Sequence, residues 1–153
     1  RNVRGFERAV LLATSPLGIR ESRNILGDYT ITRDDVLSAV KFPDGVACGA
    51  YPIDIHDPRG GKTQFQFIRE GGYYTIPYRA MLPAGLEGVL VCGRCISAAH
   101  EAHGTTRIMG CVLSQGEAAG TAAALAAARV ATGTAAAAAA ARATGRATGA
   151  GAA

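Results

Sequence analysis

The chain of 153 residues has no tryptophan, and phenylalanine and tyrosine are few. A groove that grips single-stranded nucleic acid stacks bases on aromatic side chains along a basic track. No stretch of this sequence interleaves the two. The net charge of +4 does not restore that reading. Three arginines (Arg129, Arg142, Arg146) and no acid follow Glu117, so residues 1–117 carry only +1 (4 minus 3). Long apolar runs are also missing. With the alanine tracts discounted, none approaches the roughly 20 residues of a bilayer span. The opening RNVRGFERAV has neither the apolar core nor the cleavage site of a secretory signal. The cysteines, Cys48, Cys92, Cys95 and Cys111, do not form a secreted disulfide framework, which points to a reducing compartment, the cytoplasm. The start on Arg1 rather than Met points to a fragment or a processed product. Nucleic acid and membrane are thus not expected partners.

Nearly half of the residues are hydrophobic, which favours a folded core over disorder. Phe6, Ala9, Val10 and Ala13 have helical spacing, and Pro16 and Gly18 end that segment. Residues 18–32 read as extended, with a bend at Gly27-Asp28. Arg20, Glu21 and Arg23 within it are either an ion-pair network beside a site or surface charges on a strand pair. Thr32 with Asp35 predicts a capped helix through about Val40. Pro43-Asp44-Gly45 is a turn, and residues 46–55 read as one apolar extended run. Its end, Asp54-Ile55-His56-Asp57-Pro58, is a strand end entering a turn at residues 58–61, or else an acid/base or metal site. Residues 63–68 alternate polar and apolar, and residues 73–78 form another strand ending near Pro77. The two are expected to pair as a hairpin through Gly71-Gly72. Tyr73, Tyr74 and Tyr78 suit packing as well as a cavity wall. Arg79 is placed to meet an anionic substrate or a local carboxylate. Beyond Val130 the composition collapses to Ala, Thr, Gly and Arg. Alanine favours helix there, but the Thr-Gly repeats are expected to break it and leave a weakly ordered tail.

The chain is organised around residues 89–125. Val89-Leu90-Val91 reads as a short buried strand, ended by Gly93. A polar loop, Gly93 to Arg107, then carries two histidines, a glutamate and two arginines. A tightly packed helix over residues 111–128 follows, its first-turn N–H groups and dipole suited to an anion-bearing cofactor. Cys92, Cys95, His100 and His103 have the spacing Cys-x2-Cys-x4-His-x2-His. This admits a non-catalytic zinc or interaction module, although no finger or knuckle framework surrounds the four. Cys92 and Cys95 also admit a redox pair, but such pairs open helices, and this one closes the expected strand.

GRCISAAHEAHGTTRIMG followed by QGEAAGTAAAL resembles the C-terminal flavin-binding segment of FAD-dependent oxidoreductases. His103-Gly104-x-x-Arg107-Ile108-x-Gly110 is similar to a run in flavoproteins such as fumarate reductases. The likeness extends upstream through GIRESRNILGDYTITRDDVL, YPIDIHDP and IPYRAMLP. It implies an α/β fold of the FAD/NAD(P)-binding type: mixed strands of a partial substrate domain (1–85), then the return strand and final helix of an FAD-binding domain (86–128), then a low-complexity tail (129–153). It implies FAD as cofactor and hydride transfer with a small-molecule substrate. Gly93 would let the backbone approach the cofactor, and Arg94 would pair with its pyrophosphate or ribityl chain. Gly104, Met109, Gly110, Cys111 and Val112 would line it, the last three through helix-start N–H groups. Arg107 would bind an anionic substrate group and His103 would donate a hydrogen bond or proton. His100 and Glu101 are either further site groups or structural partners. No metal is implied. The glycine-rich turn that holds an FAD pyrophosphate is not in this sequence, so the expected partner is a dinucleotide-binding portion N-terminal to it.

Overall fold

A computed structural model of the chain describes residues 3–16, 18–21, 23–57 and 59–147. The expected turn at Pro58 and the last six residues of the tail lie outside the described residues. The fold is a mixed α/β arrangement, three helices and four short strands among the described residues. Helix α1 (Arg33–Leu37) starts where its cap predicts. The Thr32 hydroxyl accepts from the Asp35 N–H at 3.2 Å, and the Asp35 carboxylate accepts from the Thr32 N–H at 2.8 Å. The Tyr29 hydroxyl donates to the same carboxylate at 2.8 Å.

The extended run after the turn at Pro43-Asp44 is two strands rather than one, β1 (Gly45–Gly49) and β2 (Ile53–Ile55), parted by a bend at Tyr51. Strand β3 (Gln64–Gln66) and strand β4 (Tyr74–Pro77) do not form the expected hairpin. Instead β3 pairs antiparallel with β2, and β4 pairs antiparallel with β1. Burial explains the exchange. Strand β4 buries Tyr74, Ile76 and Pro77, and β1 turns Ala47 and Gly49 to the same core. Strand β3 leaves Gln64 and Phe65 exposed, so it has no core-facing side to offer β4. Tyr74 and Gly49 are register partners, and a side chain at Gly49 would stand 2.3 Å from the tyrosine ring. The glycine makes room for the ring.

Three expectations around the organising stretch are corrected. Val89 to Val91 is not a strand: among the described residues its one backbone bond runs from Val91 N–H to the Met81 carbonyl, and Val89 is exposed. The segment from Gly93 to Arg107 is not a loop. It holds a 3-10 turn (Gly93–Cys95) and helix α2 (His100–Thr106). Helix α3 begins at Met109 and runs through Ala147, so the Thr-Gly pairs up to that point do not break it. Alanine's helix propensity outweighs the glycines over such a span. Upstream, residues 6–15 form turns and irregular backbone, not a helix. Phe6 and Val10 are largely exposed and bury nothing, and an unpacked helix of that length is marginal in water.

The core gathers Ile31, Val36, Ile53, Tyr74, Ile76, Met81 and Ile96, all fully buried. Gly104 lets α2 close onto β2. A β-carbon there would meet the Asp54 carbonyl oxygen at 2.9 Å and the Asp54 nitrogen at 3.1 Å, both backbone atoms that cannot yield. This contact brings the end of β2 against α2 and fixes what faces what in the cleft below.

Candidate functional site

Two adjoining cavities open where β2, α2 and the start of α3 meet. The first, of about 560 Å³, is lined by Ile108, Met109, Val112 and Leu113 together with Arg20, Asp54, Arg94 and Arg107. The second, of about 580 Å³, is more polar and includes Glu21, His56, His100, His103 and Gly104. Arg20, Asp54 and Arg107 belong to both, so the two are halves of one cleft with these groups at the junction. Three arginines face two carboxylates across it, a field that favours anions.

Arg107 follows the last turn of α2. Its Nη2 donates to the Asp54 carbonyl at 3.2 Å, while its Nε is buried without a hydrogen-bond partner. A buried guanidinium N–H without an acceptor is unusual, and an acceptor from a ligand would satisfy it. Asp54 was expected at a strand end. It is there, but its side chain also lies in the cleft, and His56 stands beside it. The His56 Nε2 lies 2.6 Å from Arg20 Nη1 and 3.3 Å from Asp54 Oδ1. Because a guanidinium only donates, Nε2 accepts from Arg20 and has no proton left for Asp54. The Asp54 Oδ1 is accordingly buried and unpartnered.

His103 does not face open space. It is 1% exposed, and its Nε2 donates to the Arg94 carbonyl at 3.0 Å. Burial pushes its pKa below the usual histidine range, with Arg107 and His100 adding to that and Glu21 and the Arg94 carbonyl opposing it. His100, by contrast, is exposed and bonds Glu21 at 2.7 Å through Nδ1. Of the two histidines of α2, one holds the turn in place and the other presents its ring to the cleft. A histidine whose folded pKa is depressed binds protons more readily once unfolded. Its contribution to stability is therefore complete above about pH 6.5 and is lost as pH falls from there through the folded pKa. Urea unfolding of the wild type between pH 7 and pH 5 should show this loss. His103→Gln, which keeps a donor for Arg94 but does not titrate, should flatten the slope. An unchanged slope in the variant would assign it to other groups.

The remaining sequence candidates divide by element. Gly93 has φ +81°, a backbone that favours glycine, and its N–H donates to the buried Gln115 side chain at 2.8 Å. Arg94 lines the cleft with its guanidinium bonded to the Ile19 carbonyl at 3.0 Å. Met109 and Gly110 are exposed at the start of α3, and a side chain at Gly110 would meet open space. Their N–H groups and that of Cys111 have no partner within the helix, whereas the Val112 N–H is taken by the Ile108 carbonyl at 3.0 Å. The Cys111 thiol is buried against the Cys48 carbonyl at 3.6 Å and turns away from the cleft.

Gln115 escaped the sequence reading. Fully buried, it accepts from Gly93 and donates to the Thr106 carbonyl at 3.1 Å, joining the 3-10 turn, α2 and α3. Its signal was a lone amide four residues after Cys111, on the same face of a helix of small residues. The zinc spacing has no counterpart in space: among the described residues no three His, Cys, Asp or Glu side chains are grouped to hold a metal. Also among them, no helix is long and apolar enough to cross a membrane.

The chain's own groups fit a flavin on three observations: an apolar wall made partly of exposed Met109 and Leu113, free N–H groups at a helix start, and the unsatisfied Arg107 Nε. No curated protein and no solved structure matches the chain. A family model does, over residues 1–132. The chain belongs to the FAD dependent oxidoreductase family, and is a flavoprotein with FAD as its cofactor.

Proposed function

We propose that the apolar half of the cleft receives the flavin ring and the polar half a small anionic substrate, with hydride transfer between them where Arg20, Asp54 and Arg107 meet. Arg107 carries this reading, because it reaches both halves and keeps a buried N–H without an acceptor. When bound, FAD supplies the two-electron acceptor or donor. The rest falls to the chain's own side chains. Arg107 and Arg20 hold the anionic group and orient the substrate carbon. His100, bonded to Glu21, is the group placed to take or give a proton at its free ring nitrogen. His103 positions Arg94 from below. Met109, Val112 and Leu113 keep water from the apolar half. Residues 1–85 belong in this reading to a substrate domain and residues 86–128 to the FAD-binding domain, with 129–153 a low-complexity extension. A glycine-rich turn in an N-terminal dinucleotide-binding portion holds the pyrophosphate. The free cysteines support a reducing, cytoplasmic setting.

The test is Arg107→Lys in the flavin-loaded enzyme. A charge-assisted bond of about 1.5–3 kcal/mol corresponds to a loss of roughly 10–150-fold in kcat/KM, and a lysine point charge should restore little of it. Flavin content, read from the visible spectrum, should stay near wild type. Turnover undiminished with the flavin bound would remove Arg107 from the substrate site.

A further inference from the structure

The 3-10 turn at Gly93–Cys95 has a cysteine at each end. Cys92 precedes its first residue and Cys95 is its last, and both side chains are exposed as free thiols. A 3-10 turn closes i→i+3 hydrogen bonds, which brings the α-carbons of the first and fourth residues, here Cys92 and Cys95, within about 7 Å. A disulfide spans α-carbons about 4.4–6.8 Å apart, so the turn brings the pair within its reach. The sequence set against a redox pair that such pairs open helices, whereas this one closes an expected buried strand; Cys95 in fact ends a short 3-10 turn. That strand does not exist, and Cys92 is not buried.

The turn is also held from inside. The Gly93 N–H is bonded to buried Gln115, the Arg94 carbonyl to His103, and the Cys95 carbonyl accepts from the Ile25 N–H at 2.9 Å. Gly93 takes the positive φ of +81° with which the chain enters the turn, a conformation that favours glycine. The interior thus fixes the two intervening residues, while the thiols at the ends face solvent. We propose that Cys92 and Cys95 are a reversible dithiol–disulfide couple that exchanges with small disulfides at this exposed turn. One cysteine thiolate attacks a disulfide R–S–S–R and releases RS⁻, leaving a mixed disulfide. The second thiolate attacks the cysteine sulfur of that bond, closes Cys92–Cys95 and releases the other RS⁻. The two protons given up by the cysteines end on two RSH, so the cysteines are oxidised and the small disulfide is reduced. Cytosolic disulfides of this transient kind are the ones a reducing compartment retains. The chemistry needs no flavin and stands apart from the reading of the cleft.

Arg94 makes the test direct. The full chain is equilibrated with graded mixtures of reduced and oxidised glutathione, acid-quenched, alkylated and digested with trypsin without reduction. Cleavage after Arg79, Arg94 and Arg107 puts the two cysteines on separate fragments, 80–94 and 95–107. The expected result is a single species in which the fragments are joined, arising from monomeric protein on a non-reducing gel and reversed by dithiothreitol. Both thiols should leave the alkylated pool together. Cys95→Ser should raise glutathione-bound Cys92 severalfold, because nothing remains to resolve it. The proposal is overturned by two separately glutathionylated fragments, by full alkylation of both thiols at the most oxidising ratio, or by linkage confined to a dimer.

Discussion

Tyr74→Ala should destabilise the chain by about 3–5 kcal/mol, the cost of emptying a fully buried aromatic site. The ring covers Gly49 across the β1–β4 pair, and that glycine has no side chain with which to refill the space. The hydroxyl adds a second element, since it donates to Thr105 Oγ1 at 3.0 Å, which in turn donates to the Tyr51 carbonyl at 2.6 Å. Burial holds the phenol well above its usual pKa, so it serves only as a neutral donor. Tyr74→Phe should therefore lose far less, about 0.5–1.5 kcal/mol, the worth of one hydrogen bond. Urea midpoints for the three proteins, at unchanged slope, would measure the gap. Near-equal losses in the two variants would mean that the hydroxyl chain, not the packed ring, holds β4 to α2.

Gln115→Leu should lose about 2–6 kcal/mol, although leucine matches glutamine closely in size. The loss comes from two buried backbone groups left unpaired, the Gly93 N–H and the Thr106 carbonyl, at about 1–3 kcal/mol each. It should also be local. The Gly93 amide should exchange with solvent much faster in the variant, while amides of the β1–β4 pair follow only the global change. A variant within about 0.5 kcal/mol of wild type, with Gly93 still protected, would show that the turn is held by other contacts.

What the sequence made legible was local or carried by a family likeness. The box from Thr32 to Asp35 is complete within four residues, and it formed as read. The turn at Pro43-Asp44 needed nothing distant either. The residues of the four strands were read as extended to within a few positions, β1 and β2 as a single run, but their partners were not. Pairing is decided by which face each strand can bury, and the exposure of Phe65 on β3 is not visible in an alternating pattern. Val89 to Val91 has a strand's composition without a strand's neighbour, because strands exist only in pairs. The cleft was half legible. Arg94, Arg107 and Met109, all named from the sequence, line one cavity. The inward turn of His103 and the entry of Asp54 and His56 depend on how closely α2 approaches β2. A single glycine, Gly104, sets that approach.

The strand pairing is nested, with β2–β3 closed inside β1–β4, and this orders the events of folding. Joining β2 to β3 closes residues 56–63, whereas joining β1 to β4 directly would close residues 50–73, a loop three times as long. The difference in closure entropy is only about 1 kcal/mol, but it favours forming the inner hairpin first, which then shortens the outer loop. The inner loop is fastened at its base by His56 Nδ1 and Thr63 Oγ1, 3.2 Å apart. His56 therefore stands at the closure of the β2–β3 pair as well as in the cleft. Replacements there would slow the chain's collapse to its native pairing before they touched any chemistry.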